Sequence, residues 1–227
     1  MNFLMTKMKS LRNLKAPACT EHGRSELVEG LRLFLGAFLL LFLVACHNTH
    51  QVPGTTPVYY SNDRAVSLLS TSAMTESIDM PQHIAGKFRK PDGTTDLFEA
   101  DSWVRANDSI LSIVLFSGFG TTIGEISYYR DSVKAESSLI DVEKLKAEYM
   151  LADFQVCFYP FEALRQNFEQ AGFDFSETRT GSQNTDFVRT LAEKGVTIAV
   201  ARKNGNEIEF VNELRGYSYH ITLGDAN

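Results

Sequence analysis

Thr95-Asp96-Leu97-Phe98-Glu99-Ala100-Asp101-Ser102-Trp103-Val104-Arg105 is the stretch whose reading decides the fold. In an extended chain Phe98, Ala100, Ser102 and Val104 share one face, while Leu97, Glu99, Asp101 and Trp103 share the other. A period of two marks a strand with one buried face. Turn signals bracket it: Pro91-Asp92-Gly93 before and Ala106-Asn107-Asp108 after. Working outward, residues 84–89, 95–105, 109–116, 122–129 and 132–137 read as strands of an antiparallel meander. Its other breaks are Ser117-Gly118-Phe119-Gly120 and Arg130-Asp131.

Beyond the meander the period changes. Asp141 suits a helix N-cap and Glu143 suits a first turn, and Leu145, Leu151, Phe154 and Phe158 recur near helical spacing up to Tyr159. Pro160 opens a second helix with Phe161, Leu164, Phe168 and Ala171 as its buried stripe, and Gly172 stops it. Strands are expected again at 173–180, 187–191, 196–202, 207–211 and 217–223, with Lys203-Asn204-Gly205-Asn206 as the strongest hairpin signal. Strands, then helices, then strands predict an α+β fold with an antiparallel sheet.

The other decisive stretch is near the start. Arg32 precedes thirteen uncharged residues, Leu33 to Ala45, that end on Leu43-Val44-Ala45-Cys46. A charged flank, an apolar run and small residues at a cut site describe a secretory signal. The Leu-x-Ala-Cys ending resembles the lipobox of bacterial lipoproteins, in which the cysteine is acylated and becomes the first residue of the mature protein. A membrane-spanning helix is the alternative. At a rise of ~1.5 Å per residue, residues 33–46 reach roughly 21 Å, short of a hydrocarbon core of ~30 Å. Three acyl chains anchor a protein far better than one. The flank upstream holds Glu21, Glu26 and Glu29 and is long for a signal, so translation is expected to begin near Leu27 or Val28.

The expected organisation is a signal peptide over 1–45, a tether over 46–80 and a domain over 81–227. The tether carries Pro53, Gly54 and Pro57 and a Ser/Thr-rich run, with a short helix over 65–74 turning Val66, Leu68 and Leu69 inward. Six of the 22 basic and three of the 28 acidic residues precede Cys46, so the mature chain carries a formal charge of −9. That balance excludes a general nucleic-acid binder. Of the three cysteines only Cys157 stays free after processing, so no intramolecular disulfide is expected and the fold rests on its core.

With these residues in hand a family likeness can be stated. The stretches Tyr149-Met150-Leu151-Ala152-Asp153-Phe154-Gln155, Tyr159-Pro160, Ala163-Leu164-Arg165 and Arg215-Gly216-Tyr217-Ser218 resemble LolB-like proteobacterial lipoproteins of unknown function, some encoded among aryl-polyene genes. The wider pattern is similar to the LolB family of outer-membrane lipoprotein receptors. The resemblance covers about residues 82–224. It implies a curved antiparallel sheet forming an unclosed β-barrel, with a two-helix insert as lid over an apolar cavity for acyl chains. Phe98, Val104, Leu151, Phe154, Leu164, Tyr217 and Tyr219 are the residues expected to line the cavity or lid. LolB proteins carry a protruding Asn-Pro-Leu-Gly loop that delivers lipoproteins into the membrane. Gly118, Phe119 and Gly120 stand at that place, with Gly for Pro and Phe for Leu. The implied partners are a lipid or acyl chain, the membrane through lipidated Cys46, and a periplasmic carrier protein, with the domain on the periplasmic face of the outer membrane.

Catalysis has little to stand on. No Gly-x-Ser-x-Gly elbow, His-Glu-x-x-His, P-loop or cysteine pair is present, and His83 and His220 are the histidines of the expected domain. No cofactor or metal is expected. Cys157 reads as a small buried hydrophobe and His220 as exposed. Three functions stay open: a lipid or lipoprotein acceptor, a structural accessory of an envelope assembly without a ligand, and an ester hydrolase. An apolar cavity favours the first, a filled core the second, and an ordered nucleophile–histidine pair the third.

Overall fold

The structure, a computed structural model, describes residues 48–52, 57–90, 92–137, 146–181 and 185–225. All of these belong to one compact unit, His47–Asn227. The signal peptide and Cys46 lie outside the described residues, as does the expected N-cap Asp141.

The meander forms as its alternation dictates. Strands β4 (Ile78–Arg89), β5 (Thr95–Ala106), β6 (Leu111–Phe116), β7 (Thr122–Tyr129) and β8 (Ser132–Ser137) pair in sequence order. On β5 the inward face is Phe98, Ala100, Ser102, Val104 and Ala106. After the helices come β9 (Asp174–Thr180), β10 (Asp186–Glu193), β11 (Val196–Asn204), β12 (Glu207–Asn212) and β13 (Tyr217–Leu223). Strand β13 pairs back onto β4, Tyr217 opposite Phe88 and Leu223 opposite Gln82, and joins the two halves into one sheet. At the far edge β1 (Asn48–Val52) lies along β8, Asn48 opposite Ser137. The eleven strands run in the order β1-β8-β7-β6-β5-β4-β13-β12-β11-β10-β9, and the end strands β1 and β9 are not paired with each other. This is an unclosed antiparallel barrel.

Helix α1 (Ala147–Phe158) and helix α2 (Phe161–Gln170) connect β8 to β9. Lys146, just before α1, is left-handed at φ 50°, and Pro160 stands one residue before the first helical position of α2. Every residue from Leu151 to Cys157 is buried, so α1 has no solvent face along this stretch. The sheet lies on one side of it and the N-terminal segment on the other.

That segment corrects the expected tether. The ribbon of β2 (Pro57–Tyr59) and β3 (Ala65–Ser67) buries Val58, Tyr60, Val66 and Leu68 in the main core. The expected helix over 65–74 is a strand followed by a single 3-10 turn, Thr71–Ala73. Tyr60 packs edge-on against Phe168 and Phe173, with ring centres 5.2 and 6.2 Å away. Polar side chains stitch the strap down. The Gln155 amide donates to the Leu69 carbonyl at 2.8 Å and accepts from its N–H at 2.9 Å, as a neighbouring strand would. Asn167 Nδ2 donates to Ser67 O, and Arg64 Nη1 to Gly172 O. A stretch that opens on Pro53, Gly54 and Pro57 and runs rich in Ser and Thr reads as linker, yet its large side chains are spaced to cover α1 and α2.

Candidate functional site

Where α1 crosses the sheet, packing is incomplete. A cavity of about 50 Å³ remains, lined by Ile84 and Gln82 of β4, Phe98 of β5, Ile113 of β6, Phe210 of β12, Tyr219 and Ile221 of β13, and one side of α1. The helix contributes Met150, Asp153, Phe154, Cys157 and Phe158, spaced three or four residues apart as one helical face requires.

One wall is aromatic because a glycine permits it. A Cβ on Gly86 would fall 2.1 Å from the Phe98 ring, so that ring lies across the bare backbone of β4. Around it gather Phe88, Tyr217, Tyr219 and Phe210, with Tyr217 and Tyr219 5.2 Å apart and Phe210 stacked on Tyr219. On the opposite wall Phe154 stacks on Phe158 at 4.4 Å.

Polar groups are few and placed. Asp153 is buried and accepts a 2.7 Å hydrogen bond from Tyr217 Oη, which in turn accepts from Asn212 Nδ2 at 3.2 Å. Burial pushes the Asp153 carboxyl up to about 8, against the opposing pull of the Tyr217 hydrogen bond and of Arg215. Burial likewise raises the Cys157 thiol well above its usual range, and the nearby Asp153 adds to this. The buried Gln82 has no hydrogen-bond partner for its Nε2. Apart from Gln82 and Asp153 the lining is apolar, a chemistry that favours an apolar group over an ionic one.

Helix α1 is held over this cavity by side chains from the barrel. Arg215, in the turn between β12 and β13, stacks over the Tyr149 ring at 4.0 Å and donates to the Tyr59 carbonyl. At the other end Arg189 of β10 is buried, donates to Val156 O at 2.7 Å and Tyr159 O at 2.9 Å, and pairs with Glu177 at 2.8 Å. The guanidinium satisfies the carbonyls that a helix C-terminus leaves open.

Of the residues expected to line the site, Phe98, Phe154 and Tyr219 do so, and Tyr217 stands behind the lining as the partner of Asp153. Val104, Leu151 and Leu164 are instead packed core. Strand and helix period identify an inward face but not where along it packing fails. Within the two-helix insert the roles divide: α1 lines the cavity, while α2 packs on β9 through contacts such as Phe168 to Phe175 at 4.9 Å. Asp153 and Gln82 carried no role in the sequence reading. A charged residue inside the apolar stripe of α1 was the available signal for Asp153.

Phe119 stands at the tip of the β6–β7 loop and is 99% exposed. Ser117 closes the loop, accepting on its carbonyl from Gly120 N–H and on its hydroxyl from Phe119 and Thr121 N–H. Gly120 takes φ +76°, and nothing lies near the bare Cα of Gly118 or Gly120. His83 and His220 sit on the outer face: His83 pairs with Asp101 at 2.9 Å and His220 with Glu207 at 2.7 Å. Among the described residues there is no cluster of side chains able to hold a metal and no helix long and apolar enough to cross a membrane.

A family model described as "Protein of unknown function (DUF3261)" matches residues 82–224. No curated protein matches the sequence. Among solved structures, a LolA-superfamily protein from Nitrosomonas europaea is similar at 8% identity and a TM-score of 0.29, covering 70% of this chain and 89% of that one. Another, described as an outer-membrane lipoprotein-sorting protein domain from Vibrio parahaemolyticus, is similar at 10% identity and a TM-score of 0.25, covering 70% and 88%.

Proposed function

Starting from the fact that the chain belongs to the DUF3261 family, we propose that it is a LolB-like lipoprotein of the periplasmic face of the outer membrane. Acylated Cys46 anchors it, and the barrel takes an acyl chain or a lipid-linked product between α1 and the sheet and passes it to the membrane. The observation that carries this reading is the apolar cavity under α1, whose aromatic wall depends on Gly86. The test is extraction of lipid from the purified protein followed by mass spectrometry, where a stoichiometric acyl species is expected. Its absence after purification from cells, and after incubation with lipid vesicles, overturns the reading.

Handover to the membrane is assigned to Phe119. Its full exposure means Phe119→Glu leaves the melting temperature unchanged. Transfer of a fluorescent lipid into vesicles is expected to slow several-fold, and an unchanged rate removes the loop from delivery. Donation of the cargo by a periplasmic carrier belongs to the same proposal.

One observation favours a second reading. The cavity is about 50 Å³, well below the ~300–1,000 Å³ of ordinary ligand pockets. A core this nearly filled suits a structural accessory lipoprotein that holds no ligand. Hydrolysis draws no support from the geometry. Cys157 is inside with its thiol pushed up, while His83 and His220 face outward onto carboxylates.

A further inference from the structure

Six large apolar side chains stand exposed among the described residues: Tyr59, Leu97, Phe119, Tyr129, Val196 and Leu214. Singly, such residues need no explanation. Their distribution does. Leu97 is in the β4–β5 hairpin, Phe119 in the β6–β7 loop, Val196 at the β10–β11 turn and Leu214 at the β12–β13 turn. Strand pairing puts these turns at one end of the barrel. The end of β4 meets the start of β13 (Phe88 opposite Tyr217), the end of β12 meets the start of β11 (Asn212 opposite Ala199), and Glu193 lies opposite Val196. Phe116 ends β6 lower, opposite Asp101. The far strand ends step in the same sense, from Ala106 opposite Ile78 to Leu223 opposite Gln82, as tilted barrel strands require.

Exposure at this end is 73% for Leu97, 68% for Val196 and 51% for Leu214. The opposite end shows what ordinary turns of this chain look like: Asn107-Asp108-Ser109, Arg130-Asp131 and Asn204-Gly205-Asn206, with Tyr129 beside them. The charges at this end are mixed: exposed Lys87, Arg89, Lys90 and Lys194 stand beside exposed Asp92, Asp96 and Glu213, and Lys90 pairs with Asp96 at 2.8 Å. Strand β1 starts at this end as well, since Asn48 lies opposite Ser137 and Ser137 opposite Gly124, just after the Phe119 loop. Cys46 is two residues earlier in the sequence, a reach of roughly 7 Å.

We propose that this whole end of the barrel is a docking face for a lipid surface, with Leu97, Val196 and Leu214 entering the bilayer interface beside Phe119. Exposed apolar tips among charges of both signs match an interface whose acyl region lies under a zwitterionic and anionic headgroup layer. A chain acylated two residues before Asn48 has too little slack to turn this end away. The proposal rests on the lipoprotein reading of Cys46 and is independent of what the cavity holds.

The test uses the full-length acylated protein in vesicles of phosphatidylethanolamine and phosphatidylglycerol. Leu97→Cys, Val196→Cys, Leu214→Cys, Phe119→Cys and, for the opposite end, Tyr129→Cys are each labelled with an environment-sensitive fluorophore. Spin-labelled lipid in the vesicles is expected to quench the first four several-fold and to leave position 129 unaffected. Quenching at 119 alone, or equal quenching at all five, overturns the proposal. Lipid extracted from the same preparations reports separately on the cavity, so failure of one reading is not mistaken for failure of the other.

Discussion

Asp153 shows how one residue type at an unexpected place sets a property of the whole protein. Its carboxyl titrates near 8 when folded and near 3.8 in an exposed chain, because burial disfavours the charge. Between those values the folded state binds more protons than the unfolded one, so stability is greatest below pH 4 as far as this group is concerned and falls as pH rises towards 8. The steepest loss is about 1.4 kcal/mol per pH unit. Asp153→Asn retains an acceptor for Tyr217 and has no charge to desolvate. Its melting temperature is expected to exceed that of wild type at pH 8 and to match it near pH 4, measured by calorimetry across that range. Arg189 is the contrasting case, a buried charge that is fully partnered. Arg189→Ala leaves Glu177 to its ion pair with Arg179 and takes the donor from the carbonyls of Val156 and Tyr159 at the end of α1, and a loss on the order of 1–3 kcal/mol for each carbonyl is expected in urea unfolding. A loss below 1 kcal/mol would show that the ion pair does not hold α1.

At the scale of elements, the sheet was legible and its attachments were not. Residues 122–129, 132–137 and 217–223 form strands with the bounds that alternation gives, because each buries one face against a continuous core. The strap was missed for a physical reason. Its two strands have three residues each, too short to show a period, and what fixes them is side chains from elsewhere, chiefly Gln155 bonded to Leu69. The cavity was half legible for a similar reason. Phe98 and Val104 share an inward face of β5, and alternation alone does not say that the first lines the cavity while the second is packed core. If the strap is structural, Gln155→Leu leaves the Leu69 N–H and carbonyl without partners, a cost on the order of 1–3 kcal/mol for each group. Proteolysis should then cut first within residues 57–74 while the meander stays protected. A cleavage pattern like that of wild type would mean the apolar contacts of Val58 and Tyr60 suffice.

For the molecule as a whole, the cavity's size decides what must move. An acyl chain needs far more than about 50 Å³, and two walls enclose that space. The sheet wall is a continuous hydrogen-bonded ladder from β6 through β5, β4 and β13 to β12, so yielding there breaks backbone pairing. The helix wall is held by Tyr217 on Asp153, Arg215 on Tyr149 and Arg189 on the C-terminal carbonyls, each a side-chain contact. On the carrier reading, helix α1 is therefore the element expected to yield, with its N-terminal half moving first because the buried ion pair grips the other end. Amide hydrogen exchange on protein with and without bound lipid tests this. Lipid is expected to change exchange within residues 149–155 at least several-fold and to leave β4 to β6 as they were. Equal exchange in the two forms would mean that α1 does not admit a chain, and the accessory reading would stand in place of the carrier.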